Sequence, residues 1–262
     1  MTYSLQQREV FHLVFLRHLV RRLKVGSYAL KGGTNLRFFF RSIRYSEDMD
    51  IDVAGIAVHS LRDAVMSILS APSLLAALRP HRVEKIIPPS MASAKQTETV
   101  QRFKVHLINQ AGENLFTKVE FSRRGLKAGA VSGGAVSEAI DGHVLSEYRL
   151  PPLIVSHYPI DLAVLQKISA VTGRAVPQAR DIFDLFLLST QMDAFTAQKI
   201  RKKIADSEIK KSRDIILSVS FEQYRDTVCA YLDPKDAELY QHPERWEEIQ
   251  LAVLTMMGAE DL

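Results

Sequence analysis

One cysteine among 262 residues, Cys229, excludes an internal disulfide and any zinc centre built on thiolates. Within DTVCAYL it falls at helix-like apolar spacing and reads as core. No charge-free run of about 18 apolar residues occurs, so no segment reads as a membrane span. MTYSLQQREVF lacks the basic-then-apolar order of a secretory signal, and the expected address is the cytoplasm. Of the eight histidines, His12 and His18 lie on or beside the apolar stripe of the first helix. The others are scattered without metal-ligand spacing, so all read as packing or surface residues. Trp246, the only tryptophan, is expected to anchor a core or an interface. There is no internal repeat.

What is present is a chain 47% hydrophobic, enough for a packed core, with net charge +4. That balance permits a nucleic-acid or phosphorylated partner without requiring one. The excess is concentrated in Lys199, Arg201, Lys202, Lys203, Lys210, Lys211 and Arg213. This segment reads as a basic face, either a solvated helix surface or a contact for an acidic polymer.

Apolar spacing predicts an amphipathic helix over 5–23, a short strand near 27–30, and an aromatic-faced helix over 35–42. Residues 48–53 alternate: Met49, Ile51 and Val53 on one parity, Asp48, Asp50 and Asp52 on the other, the period of a strand with one buried face. A helix over 60–78 and strands over 82–87, 100–108 and 115–122 follow. The Gly-, Ala- and Ser-rich stretch 125–142 reads as a loop, and PPLIVSHYP marks a boundary. The fold class is α/β (α+β): a catalytic domain with a mixed, helix-flanked sheet over 1–150, and a helical domain of five or six helices over 151–262.

The acidic run on a strand calls for a cation, because adjacent like charges raise one another's pKa. Asp48 and Asp50, two apart, point the same way, close enough to share one or two hard divalent ions. By spacing alone Asp50 and Asp52 serve equally. Gly32, Gly33 and Thr34, between a strand and a helix, offer backbone N–H groups and a hydroxyl to a phosphate.

These residues carry a resemblance. GGT followed by RYSEDMDID resembles the signature of the DNA polymerase β type nucleotidyltransferase superfamily. In detail, Lys31, Gly32, Gly33, Thr34, Leu36, Arg44, Ser46, Asp48 and Asp50 match the K-G-G-T-x-L … R-x-S-x-D-h-D form of the AbiEii/AbiGii toxins. Alignment on Arg44 and Ser46 selects Asp48 and Asp50 as the metal pair. A third carboxylate on a later strand is implied, with Glu120 in LFTKVEFSRR the candidate and Lys118 beside it. LQKISAVTGRAVPQARDIFDLFLL resembles the family's later motif through Lys167, Arg180, Asp181, Asp184 and Leu185.

The resemblance implies a Mg²⁺-dependent enzyme, with two ions held by Asp48, Asp50 and Glu120, and a nucleoside triphosphate bound by Gly32, Gly33, Thr34, Lys167 and Arg180. Asp184, or else Asp181, is the implied group that orients or deprotonates the acceptor hydroxyl. It further implies the toxin of a bacterial toxin–antitoxin pair active in abortive infection or phage defence, with a cognate antitoxin and the 3′ end of tRNA as acceptor. Arg123, Arg124 and Lys127 are candidates for the RNA backbone. Transfer to a small molecule or protein side chain, or nucleotide binding without turnover, are the competing readings.

Overall fold

The computed structural model describes residues 2–92, 94–125 and 134–258. It divides into two units: residues 1–41 with 45–158, and residues 42–44 with 159–262. The chain passes between them at Tyr158 and Pro159, because β7 (Ile154–His157) still belongs to the first unit's sheet.

In the first unit, α1 (Thr2–Leu19) leads to β1 (Tyr28–Lys31), α2 (Gly32–Phe39) and β2 (Asp48–Val53). The helix expected over 60–78 is two, α3 (Val58–Leu69) and α4 (Pro72–Leu78). Pro72 cannot continue the first helix but suits the opening turn of the second. Then come β3 (Val83–Ile87), β4 (Val100–Asn109), β5 (Asn114–Ser122), β6 (Val136–Ala139), α5 (Gly142–Glu147) and β7. Part of the stretch read as a loop is therefore strand β6, paired antiparallel with β7; its residues 126–133, Lys127 included, lie outside the described residues.

Among the described residues the strands form one seven-stranded mixed sheet ordered β3-β4-β5-β2-β1-β7-β6. β2 runs antiparallel to β1 and parallel to β5, and β5 antiparallel to β4. The period of two divides the central strands cleanly. Met49, Ile51, Val53, Phe103, Val105, Val119 and Phe121 are buried in one hydrophobic core with Val10, Phe11, Val14 and Phe15 of α1 and Leu61, Val65 and Leu74 of α3 and α4. The opposite parity carries the charges.

The helical unit comprises α6 (Ile160–Gly173), α7 (Ala179–Ser189), α8 (Ala194–Arg201), α9 (Asp206–Ser218), α10 (Phe221–Thr227), α11 (Pro234–Tyr240) and α12 (Pro243–Met257). This is seven α-helices among the described residues, against five or six expected. Two of their starts carry side-chain caps: Asp193 accepts from the Thr196 N–H, and Ser220 with Gln223 forms a capping box. α7 packs between α6 and α12. Trp246 is buried, its ring stacked 4.4 Å from that of Tyr224, and its indole N–H donates to the Val219 carbonyl at 2.9 Å. Cys229 is buried as well, and its thiol is pushed up by that burial. No single helix among the described residues is long and apolar enough to cross a membrane.

Candidate active site

The register across the central strands aligns Lys31 with Asp50, Asp50 with Glu120, and Glu120 with Arg102, a row of charges running +, −, −, + over the open face of the sheet. One step along, Asp48 aligns with Lys118 and Lys118 with Lys104. Two carboxylates fixed as nearest neighbours on adjacent strands repel, since their Cβ atoms lie about 5 Å apart. Most of this charge is answered within the sheet: Lys118 Nζ lies 3.0 Å from Asp48 and Arg102 Nε 2.7 Å from Glu120.

Asp50 differs. Its carboxylate has no hydrogen bond or ion pair among the described residues. Burial raises its pKa, and Glu120 and Asp48 push the same way against Lys118 and Lys31. Its Oδ2 faces Gly32, where a Cβ would come within 2.9 Å; Gly32 also has φ +68°, so two independent reasons keep this position glycine. Lys31, which precedes α2, offers no side-chain cap, which leaves the first N–H groups of that helix open beside Asp50.

Asp52 continues the acidic run but not its chemistry. It is buried, held by Lys31 Nζ and by the Tyr158 hydroxyl, which donates to Oδ2 at 2.8 Å. Gly125 packs so closely on Oδ2 that a side chain there has no room. The Asp50/Asp52 pairing that spacing alone allowed is thereby disfavoured. Thr34 departs from expectation: it is buried, and its hydroxyl points inward to the Lys31 carbonyl, 3.4 Å away, not outward to a phosphate.

Does this site suit a divalent cation? Among the described residues no group of three or more carboxylate, His or Cys side chains surrounds a common point. Lys118 and Arg102 draw Asp48 and Glu120 aside. The donor set nevertheless fits: hard oxygen ligands on one face, with the central one desolvated and without a hydrogen bond or ion pair among the described residues.

In the helical unit, Lys167 of α6 lies 2.9 Å from Asp181 and 2.6 Å from Asp184 of α7. The two aspartates, three apart, share a helix face as their spacing predicts. Arg174 pairs with Asp181 at 2.7 Å, and Arg44 grips both oxygens of Asp184 with bonds of 3.0 to 3.2 Å. Three cations thus surround two anions. Burial works against the Asp184 carboxylate, but Arg44 and Lys167 outweigh it and hold the pKa below the ordinary range. Burial likewise opposes the Lys167 ammonium, and Asp184 and Asp181 reverse that, so its pKa is raised. Arg180 is exposed, and no ion pair ties it to this cluster among the described residues.

The family model described as "Nucleotidyl transferase AbiEii toxin, Type IV TA system" matches residues 14–255. The chain belongs to the AbiEii family. No curated protein matches it. Among solved structures it is similar to MenT4, a nucleotidyltransferase toxin of Mycobacterium tuberculosis H37Rv, at 15% identity and TM-score 0.60, covering 100% of this chain and 85% of that one. It is also matched by JHP933 from Helicobacter pylori, at 17% identity and TM-score 0.49, over 97% and 94% of the two chains. An AbiEii chain is a nucleotidyltransferase toxin, and a type IV system implies an antitoxin partner.

Two AbiEii motif positions acquire physical reasons here. Arg44 is the bidentate partner of Asp184, a role sequence reading did not assign although the residue stood in the motif. The Ser46 hydroxyl donates to the Asp48 carbonyl at 2.8 Å, fixing the turn into β2. Asp184, expected to orient or deprotonate the acceptor, is fully buried with both oxygens engaged. A general base needs a free lone pair near the reacting proton and a pKa near the working pH; Asp184 has neither.

Proposed function

We propose that this AbiEii chain transfers a nucleotide from a nucleoside triphosphate to an RNA 3′ end, tRNA foremost, with a divalent cation, Mg²⁺ by preference. Asp50 carries this reading: a desolvated, unpaired carboxylate in register with Glu120, next to an uncapped helix N-terminus. Asp48, Asp50 and Glu120 would hold the cation, which when bound supplies charge neutralisation of the triphosphate. Taking it up requires Asp48 to release Lys118 and Glu120 to release Arg102, freeing both cations for phosphate oxygens.

The N–H groups of Gly32 and Gly33 bind phosphate, with Lys31 beside them and Thr34 shaping the turn from within. Lys167 and Arg180 are proposed nucleotide-binding residues on the strength of the family motif alone. Asp184 acts as a positioning residue that fixes Arg44 and Lys167. In the cell the product would be an RNA terminus blocked by an added nucleotide, and the antitoxin would restrain or reverse that outcome.

The test is incorporation of each of the four α-labelled nucleotides into total tRNA with Mg²⁺, for wild type, Asp50→Asn and Lys167→Ala. Label in a tRNA-sized band that both substitutions abolish is the expected result. Wild-type protein that binds nucleotide yet labels no RNA would sink the RNA acceptor and direct the search to small-molecule or protein acceptors.

A further inference from the structure

Beyond the carboxylate row, the open face of the sheet carries a pattern of cations and rings that starts at Lys118 and extends past the groups assigned to nucleotide binding. In register next to Asp48 lie Lys118 and Lys104, and one step further Phe116 lies opposite His106. Lys104 is exposed and has no carboxylate partner among the described residues; the same is true of Lys95, which with Arg102 and Lys104 lines a cavity of about 360 Å³. Phe116 is 62% exposed, on strand positions whose alternate residues Leu115 and Thr117 are buried. Its ring stacks on that of His106, with centroids 4.6 Å apart and planes at 24°. His106 is braced in turn by Asn114 Oδ1 at 2.7 Å.

A solvated strand face has no use for an exposed phenyl ring already held flat against an imidazole. Cations interleaved with a stacking aromatic on an open sheet are what a single strand requires: charges that follow phosphates and a ring that accepts a base face. Along β5, Phe116 stands four residues from Glu120, roughly 13 Å at strand rise. That separation lets a short single-stranded segment span from the stacking ring to the carboxylates.

We propose that the face formed by Phe116, His106, Lys104, Lys118 and Lys95 is a docking platform for the unpaired 3′ segment of the RNA acceptor, with a base upstream of the reacting end stacked on Phe116. This rests on the RNA reading above and adds what it leaves open: the acceptor is recognised as a single strand, by stacking and charge. A paired terminus cannot present a base face there, so blunt duplex ends are poor acceptors.

The experiment compares wild type, Phe116→Ala and Lys104→Glu on an RNA hairpin with a short 3′ overhang and on its blunt counterpart. Phe116→Ala is expected to raise KM for the overhang RNA about tenfold, with KM for the nucleotide unchanged. Loss of Lys104 should lower the salt slope of RNA binding by about 0.7. Phe116→Trp places an indole on the surface, and its emission should be quenched by a short single-stranded oligonucleotide, a readout that does not depend on turnover.

Wild type that labels the overhang hairpin while Phe116→Ala does so with the same KM overturns the platform and leaves the RNA reading intact. Equal labelling of blunt and overhang ends overturns it as well. No labelling of any RNA by wild type removes the reading on which it rests. Unchanged RNA kinetics with altered sedimentation or altered antitoxin capture assigns the face to a protein, and the proposal is then wrong.

Discussion

The sheet and the helical unit each gather aspartates among cations, and they handle them in opposite ways. On the sheet, Asp48, Asp50 and Glu120 stand at a partly open face, and the central carboxylate is desolvated without a partner, which raises its pKa. In the helical unit, Asp181 and Asp184 are buried deeper yet ion-paired with cations, and Asp184 is held below its ordinary range. Burial alone therefore does not decide which way a carboxylate's pKa moves; what decides is whether a cation is in direct contact with it.

The largest effect expected from this contrast is on stability. Asp184→Ala leaves Arg44 and Lys167 buried against each other, and removal of one side of a buried pair costs about 3–5 kcal/mol; urea denaturation should show it as a lower midpoint with loss of helical signal. Next is activity. Asp50→Asn should reduce nucleotide transfer by about 10²–10³-fold or more, in the range seen when one preorganised charge-stabilising group is removed. The same variant should be no less stable than wild type without metal at neutral pH, and Mg²⁺ should raise the melting temperature of wild type but not of the variant. Matching losses of stability in the two variants would erase the distinction.

Gly32→Ala is expected to be intermediate. A left-handed non-glycine residue costs about 1–2 kcal/mol, and its Cβ would also press on Asp50 Oδ2, so KM for the nucleotide should rise more than stability falls.

The smallest effect is in pH dependence, where the signs differ. The stability that Asp184 contributes is present above the unfolded carboxylate pKa of about 3.9 and lost as pH falls through its folded value. A proton on Asp50 stabilises instead: that contribution is complete below about 3.9 and lost as pH rises through the raised folded value. Metal-free stability curves of wild type and Asp50→Asn should diverge in the variant's favour as pH climbs out of the acid range.

Much of this was legible beforehand because it follows from period. The alternation in 48–53 gave β2 its buried and charged faces, and the same alternation placed Lys118 and Glu120 together. The family motif chose Asp48 and Asp50 where spacing left Asp52 as an equal. Illegible were the features that depend on register and tertiary partners. Nothing local tells that Asp52 is answered by Tyr158, over a hundred positions later, or that Asp184 is gripped by Arg44. Thr34 reads as a phosphate ligand by type, and only packing turns its hydroxyl inward. Pro72 breaks the helix although apolar spacing continues through it, so periodicity alone reads one helix where there are two. β6 was hidden by small residues that usually mark loops.

The assignment of residues 42–44 to the helical unit bears on how this protein can be taken apart. A fragment starting at Pro159 would contain all seven helices but not Arg44, so Asp184 would keep Lys167 alone and its second oxygen would lie buried without a guanidinium. Truncation at the apparent boundary therefore does not yield an independent module, and the helical unit is best transplanted or expressed with the 42–44 segment restored.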